Sequence, residues 1–296
     1  MMLPTPRGSE RACTTMPFLL LPDCRCERDP PFLVFLVTSR PAEAAERVAI
    51  RRTWGAERWS HQGRVATFFL LGQGGELGAR LRLEARAHQD IIQGDFADTY
   101  YNLTLKVMMG MEWARRHCQT ARFFMKTDSD VFVNTPHLLQ LLSSKPSQRF
   151  FSGQVMQHIQ PIQDKSSKWY ISPQEFASPV FPNYCSGTGY VFSADLTSLI
   201  CQVANSVPFL KLEDAFVGLC LARLGVPPVP MSPRRLFFTL KIPFSVCRYH
   251  RMVTAHHVSP AEMLHYWSAL RATAADQCSP PAGPVRGAHV GIQAEE

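Results

Sequence analysis

Four times in the first 130 residues, a short and nearly unbroken apolar run alternates with a stretch of helical spacing. The runs are FLVFLVTS (32–39), VATFFLLG (65–72), DIIQGDF (90–96) and RFFMKTD (122–128). Their length and their β-branched and aromatic content predict strands buried on both faces. Between them, PAEAAERVAIRRTW opens on a proline with acids in its first turn, as a helix start should. A charged stretch runs to His88, and YYNLTLKVMMGMEWARRHC carries Leu103, Val107 and Met111 one helical turn apart. Such alternation predicts an α/β fold, a mostly parallel central sheet flanked by helices. Beyond Lys145 the pattern changes to short strands, turns and prolines up to residue 192. Helices are predicted over 195–205, 213–224 and 260–272. Residues 1–30, rich in Pro, Arg and Cys without periodicity, read as a tail or stem, 31–275 as the folded domain, and 276–296 as a disordered tail.

Composition narrows this only in places. The net charge of +7 and pI near 9.0 favour acidic partners, but the basic residues are scattered without a nucleic-acid-binding pattern. No nucleic acid is expected. The 9 cysteines include no CxxC pair, and Asn102-Leu103-Thr104 is a glycosylation sequon. Together they lean towards an oxidising, secretory compartment. No run of about 20 apolar residues is present to cross a membrane, and MPFLLLP (16–22) is far too short.

The residue-level chemistry centres on KTDSDVFVN. Ligands of open α/β sheets sit outside the carboxyl ends of the strands, which is where Asp128 and Asp130 fall. Two hard carboxylates suit Mg²⁺ or Mn²⁺ and a diphosphate. The competing readings are a turn in which Asp130 or Asn134 caps the next helix, and a phosphatase-type Asp-x-Asp with one nucleophilic carboxylate. An EF-hand is excluded, because Phe132 and Val133 stand where a ligand and a glycine are required. Glu213 and Asp214 open an amphipathic helix, where acids also stabilise the dipole. Adjacent helical residues point about 100° apart, so at most one of them faces a cleft. TAHHVS offers two imidazoles, and CSGTGYVFS a turn that lets a ligand approach the backbone.

Seven blocks in fixed order make a more specific pattern: RRTWG (51–55), FFLLG (68–72), DIIQGDFADTYYNLTLK (90–106), KTDSDVFVN (126–134), SKWY (167–170), YCSGTGYVFS (184–193) and LEDAFVGLCL (212–221). In these the chain resembles the inverting β-1,3-glycosyltransferases of GT-A fold, whose nucleotide-binding half is Rossmann-like. The resemblance implies transfer of galactose from a UDP-galactose donor to the 3-hydroxyl of a GlcNAc-terminated glycan on glycoprotein or glycolipid. A UDP-GlcNAc-dependent sister activity and an inactive sugar-binding relative are the alternatives. It also implies Mn²⁺ held by Asp130 and His256, with Asp128 beside the ribose and Arg51 and Lys106 near the donor. Asp214 becomes the general base, and Trp169 and Glu213 lie on the acceptor side. Asn102 would be glycosylated, and Cys118–Cys185 and Cys220–Cys247 paired. The implied location is the luminal face of the Golgi membrane, reached through an N-terminal signal anchor that this sequence does not display. Gln163, where relatives carry arginine, and Ala255, where they often carry cysteine, depart from the pattern.

Overall fold

Every residue of β2 (Pro31–Thr38) is buried, because helices cover both faces of the sheet it centres. The computed structural model of the chain describes residues 13, 17–74, 78–232, 235–274 and 277–278. The elements preceding the Asp-x-Asp motif are β1 (Phe18–Leu20), β2, α1 (Ala44–Arg52), β3 (Arg58–Ser60), β4 (Gly63–Gln73), α2 (Gly78–His88), β5 (Ile91–Ala97), α3 (Leu103–His117) and β6 (Phe123–Asp128). After it come β7 (Phe132–Val133), α4 (Thr135–Leu142), β8 (Phe151–Met156), β9 (Tyr184–Ser193), α5 (Asp195–Val203), α6 (Glu213–Leu224), α7 (Val246–His250), β10 (Thr254–Ala255) and α8 (Pro260–Ala272).

The main sheet runs β1-β5-β4-β2-β6-β9-β8, with β3 paired to β4. Strands β5, β4, β2 and β6 are parallel, whereas β9 runs antiparallel to β6 and β8 antiparallel to β9. Alternation along β2 divides the core. Leu33, Phe35 and Val37 pack with Ile50 of α1 and Met263 and Trp267 of α8, while Val34 and Leu36 pack with Met108 and Met111 of α3. From β2 the chain moves outward through β4 to β5, then α3 carries it back to β6 on the other side of β2. The strand order therefore reverses between β2 and β6, and a crevice opens at their carboxyl ends. There Thr38 pairs with Asp128.

Helix boundaries follow local chemistry. Ser259 and Glu262 form a reciprocal capping box ahead of Pro260 in α8. Gly225, at φ 65°, ends α6 in the left-handed conformation that glycine adopts without cost.

The expected boundary at residue 31 does not hold for residues 17–30. Strand β1 extends the sheet antiparallel to β5, and Cys26 is fully buried and bonded to Cys118. This segment reads as a tail because its contacts are made to distant residues, 92 positions away at Cys118, beyond the reach of any local pattern. The disulfides differ from expectation for the same reason. They are Cys13–Cys201, Cys26–Cys118 and Cys247–Cys278, and Cys24, Cys185 and Cys220 are free. The predicted tail over 276–296 lies outside the described residues except for Gln277 and Cys278, and Cys278 is tied to Cys247. Among the described residues no helix is long and apolar enough to cross a membrane.

Candidate active site

At the reversal point, period-two alternation along β6 puts Phe124, Lys126 and Asp128 on the face towards α3, α5 and α6. Asp128 Oδ1 accepts hydrogen bonds from Thr38 Oγ1 at 2.6 Å and Lys126 Nζ at 2.8 Å. Its Oδ2 has no protein donor among the described residues. Ser129 donates to Glu43 Oε2 at 2.8 Å, which ties the Asp-x-Asp turn to the chain entering α1. Asn134 caps α4 by accepting from the His137 amide, so the capping reading holds for Asn134 and leaves both aspartates for other work.

Asp130 meets the two late imidazoles through a two-stranded sheet. Thr254 pairs with Val133 and Ala255 with Phe132, and the Val258 amide donates to the Asp130 carbonyl at 2.9 Å. The next two side chains are thereby carried to Asp130. His256 Nε2 lies 3.2 Å and His257 Nδ1 3.4 Å from Asp130 Oδ2. The rings stack at 3.7 Å, and His257 reaches this position at φ 57°. His256 Nδ1 is 2.9 Å from the Thr239 carbonyl. A carbonyl only accepts, so Nδ1 carries the proton and the Nε2 lone pair is aimed at Asp130. When the imidazole is neutral two acceptors face each other there, and a cation is what both can share. Burial disfavours charge on both groups, but without a metal Asp130 draws a proton onto Nε2, so the pKa of Asp130 is lowered and that of His256 raised. One oxygen and two nitrogens, all within 4.8 Å of one another, form a donor set that fits a borderline-hard divalent ion.

Asp214 is brought to the same crevice by α6. Its Oδ2 accepts from the Gly187 amide at 3.0 Å and its Oδ1 from the Ala215 amide at 2.8 Å. Burial pushes its pKa up, against the pull of those amides and of Lys126. Glu213, one position earlier, turns inward. It is 3% exposed, and its carboxylate accepts from the Tyr190 hydroxyl at 3.0 Å and lies 2.8 Å from Lys126 Nζ. That second approach is a charge contact without hydrogen-bond alignment, so Oε1 lacks a hydrogen-bond partner. Burial is the main reason its pKa is raised, to about 7. The expected acceptor contact at Glu213 is therefore corrected: the helical turn that aims Asp214 at the Gly187 amide buries Glu213.

Of the other expected residues, Trp169 stands at the rim, 48% exposed, with Lys168 Nζ 4.7 Å over its ring and 5.5 Å from the ring of Tyr100. Lys106 lies beneath the crevice, 3% exposed, and donates to the Ser39 carbonyl at 2.7 Å and Asp98 Oδ1 at 2.6 Å. It braces the wall, with its ammonium already engaged. Arg51 is not brought to the site. Helix α1 leaves the carboxyl end of β2 and runs back along the sheet, so its last turn lies at the opposite end. There Arg51 makes a two-pronged pair with Asp90, at 2.7 and 2.9 Å, and a contact to Glu84 at 2.8 Å. Asn102 is half-buried with its amide donating to the Ala97 carbonyl at 2.9 Å.

Sequence reasoning missed Lys126 and Glu43, and of the two imidazoles it offered it took only His256, whereas His257 also reaches Asp130. Lys126 carried one available signal: a lysine inside an otherwise apolar strand, two residues before a carboxylate.

The chain belongs to the galactosyltransferase family, whose pattern matches residues 45–232. Its sheet, with the parallel half that ends in the Asp-x-Asp turn, is of the GT-A type. It is 47% identical over 265 residues to β-1,3-galactosyltransferase 5 of Mus musculus, covering 88% of this chain and 86% of that one. The Homo sapiens protein of that name is 47% identical over 266 residues, covering 89% and 86%. β-1,3-Galactosyltransferase 2 of Mus musculus is 39% identical over 262 residues, covering 86% and 62%. Within the family, the chain is an enzyme of the β-1,3-galactosyltransferase class.

Proposed function

We propose that this chain transfers galactose from UDP-galactose to the 3-hydroxyl of a terminal GlcNAc on glycoprotein or glycolipid, with inversion at the anomeric carbon and with Mn²⁺. The observation that carries the reading is the convergence of Asp130 and the His256 lone pair at the switch-point crevice that Asp128 also lines. Asp130 and His256, joined by His257, would hold the ion, which offsets carboxylate repulsion and the charge that develops on departing UDP. Asp128, its Oδ1 occupied by Thr38 and Lys126, offers Oδ2 to a ribose hydroxyl. Asp214 accepts the proton of the acceptor 3-hydroxyl as its oxygen bonds to C1 and the bond from C1 to the diphosphate oxygen breaks. One displacement inverts the centre once. A sugar hydroxyl is a poor nucleophile, and a positioned base contributes typically about 10²–10⁴-fold. Trp169 supplies an apolar face for the acceptor ring.

Three disulfides support an oxidising lumen, and we place the enzyme in the Golgi. UDP release and product mass, measured with a GlcNAc-terminated acceptor, UDP-galactose or UDP-GlcNAc, and Mn²⁺ or EDTA, test the reading. Galactose transfer that EDTA stops is expected. Faster transfer from UDP-GlcNAc would reassign the donor, and undiminished activity in EDTA would remove the metal.

A further inference from the structure

Lys126 is fully buried in the strand that ends at Asp128, yet no step of the reaction as written uses it. Its ammonium has three protons, and three acceptors surround it. Nζ donates to Asp128 Oδ1 at 2.8 Å and to the Gly187 carbonyl, and lies 2.8 Å from Glu213 Oε1. The Gly187 residue is shared with Asp214, because the Gly187 amide donates to Asp214 Oδ2 at 3.0 Å. One glycine thus gives its carbonyl to the lysine and its N–H to the carboxylate. Its position is tight: a methyl group added at Gly187 would come within 2.6 Å of Glu213 Oε1 and 3.4 Å of Asp214 Oδ2.

We infer that Lys126 is a positioning residue for the catalytic base, holding Gly187 so that its amide aims Asp214, and keeping Asp214 charged by standing as the ammonium among three carboxylates. The inference rests on Asp214 being the base. The aiming follows from the contacts just given. Charge follows from the company Asp214 keeps. Glu213 stands beside it on α6, Tyr184, Cys185 and Tyr190 face it from β9, and Tyr100 from the turn before α3. None of these is a cation. Burial drives Asp214 towards its neutral, useless form, and Lys126 is the charge that opposes this. The same ammonium grips Asp128, so the donor-side carboxylate and the base share one support.

The sign of the test follows directly. Removing the positive charge lets Asp214 hold its proton to higher pH, so the acidic limb of the rate profile must move up. In the full-length chain with Mn²⁺ and saturating acceptor, Lys126→Gln should lower kcat at pH 7 by about tenfold or more. It should also raise the acidic limb by about one pH unit. Lys126→Arg, which keeps the charge, should leave the limb in place. Gly187→Ala keeps every charge but displaces the shared residue, and should lower kcat even at pH values above the limb, where Asp214 is fully ionised. Lys126→Gln that folds and leaves the limb where it was overturns the electrostatic role. Wild-type kcat in Gly187→Ala overturns the aiming role, and this variant decides if Lys126→Gln does not fold. Asp214→Asn with undiminished kcat would instead remove the base itself, a failure distinct from either.

Discussion

The two ends of the parallel strands arrange their charged side chains differently. At the amino end Arg51 pairs with Asp90 and Arg64 with Glu57, at 2.7 Å in each case. At the carboxyl end Lys106 is matched with Asp98, but one ammonium serves Asp128 and Glu213 beside Asp214, and among the described residues Asp130 is opposed only by two imidazoles. Buried charge without its counterpart is costly. On the proposed reading, the surplus at the carboxyl end is kept for the cation that Asp130 and His256 would hold. The amino end is built for stability and the carboxyl end for a visitor. The position of Arg51 shows the difference: its charge suits a diphosphate, but its partners are already chosen.

The largest effect that could break this comparison is at Asp130. Asp130→Ala should abolish metal-dependent UDP binding, lowering Mn²⁺ affinity by at least about 10²-fold, as loss of a ligand exceeds loss of its outer support. Calorimetric titration of Mn²⁺ and UDP reads it, and unchanged affinity would mean that the surplus charge serves something other than a metal. Next in size is the base. Asp214→Asn should lower kcat by at least about 10²-fold with donor affinity nearly unchanged, whereas Glu213→Gln should cost far less kcat. The reverse order would make Glu213 the base. Glu213→Gln should also change how stability depends on pH. A carboxyl raised in the fold to about 7 from an unfolded value of 4.5 favours folding most below 4.5, and this contribution is lost as pH rises to 7. Thermal melts of the variant should therefore vary less over that interval. The smallest catalytic effect is expected at the amino end. Arg51→Gln leaves Asp90 unpaired and should cost roughly 1–3 kcal/mol, below the range for a fully buried pair because about 14% of each side chain remains exposed. Its kcat should be that of wild type. A loss of kcat without loss of melting temperature would return Arg51 to the donor site.

What could be read in the sequence was what short-range periodicity encodes. The predicted bounds of α6 and α8 coincide with the observed ones, because apolar spacing and the proline at 260 act within one or two turns. The carboxyl-end position of Asp128 and Asp130 followed from strand polarity alone. The roles of His256 and Asp214 came from the family resemblance, and spacing by itself did not distinguish them from capping or core residues. Three things were not legible, all of them long-range. Residues 17–30 join the sheet through β5 and Cys118, so nothing local marks them as part of the domain. Cysteine partners depend on which Cα atoms come within about 5 Å, as at Cys247 and Cys278, 31 residues apart at 5.3 Å. Finally, Glu213 and Asp214 are equivalent acids on paper, and only the direction of Tyr190 and Lys126 tells which is inside.

Strand β10 is two residues long, and it delivers the imidazoles to a carboxylate 126 positions earlier in the chain, counting from Asp130 to His256. During synthesis, therefore, β2, β4, β5, β6 and the Asp-x-Asp turn leave the ribosome before either imidazole does. A chain stopped before Thr254 would lack His256 and His257, and with them Met263 and Trp267, which cover one face of β2. On the proposed reading the ligand set is complete only with the last sixth of the polypeptide, so a prematurely ended chain would lack the chemistry assigned to it.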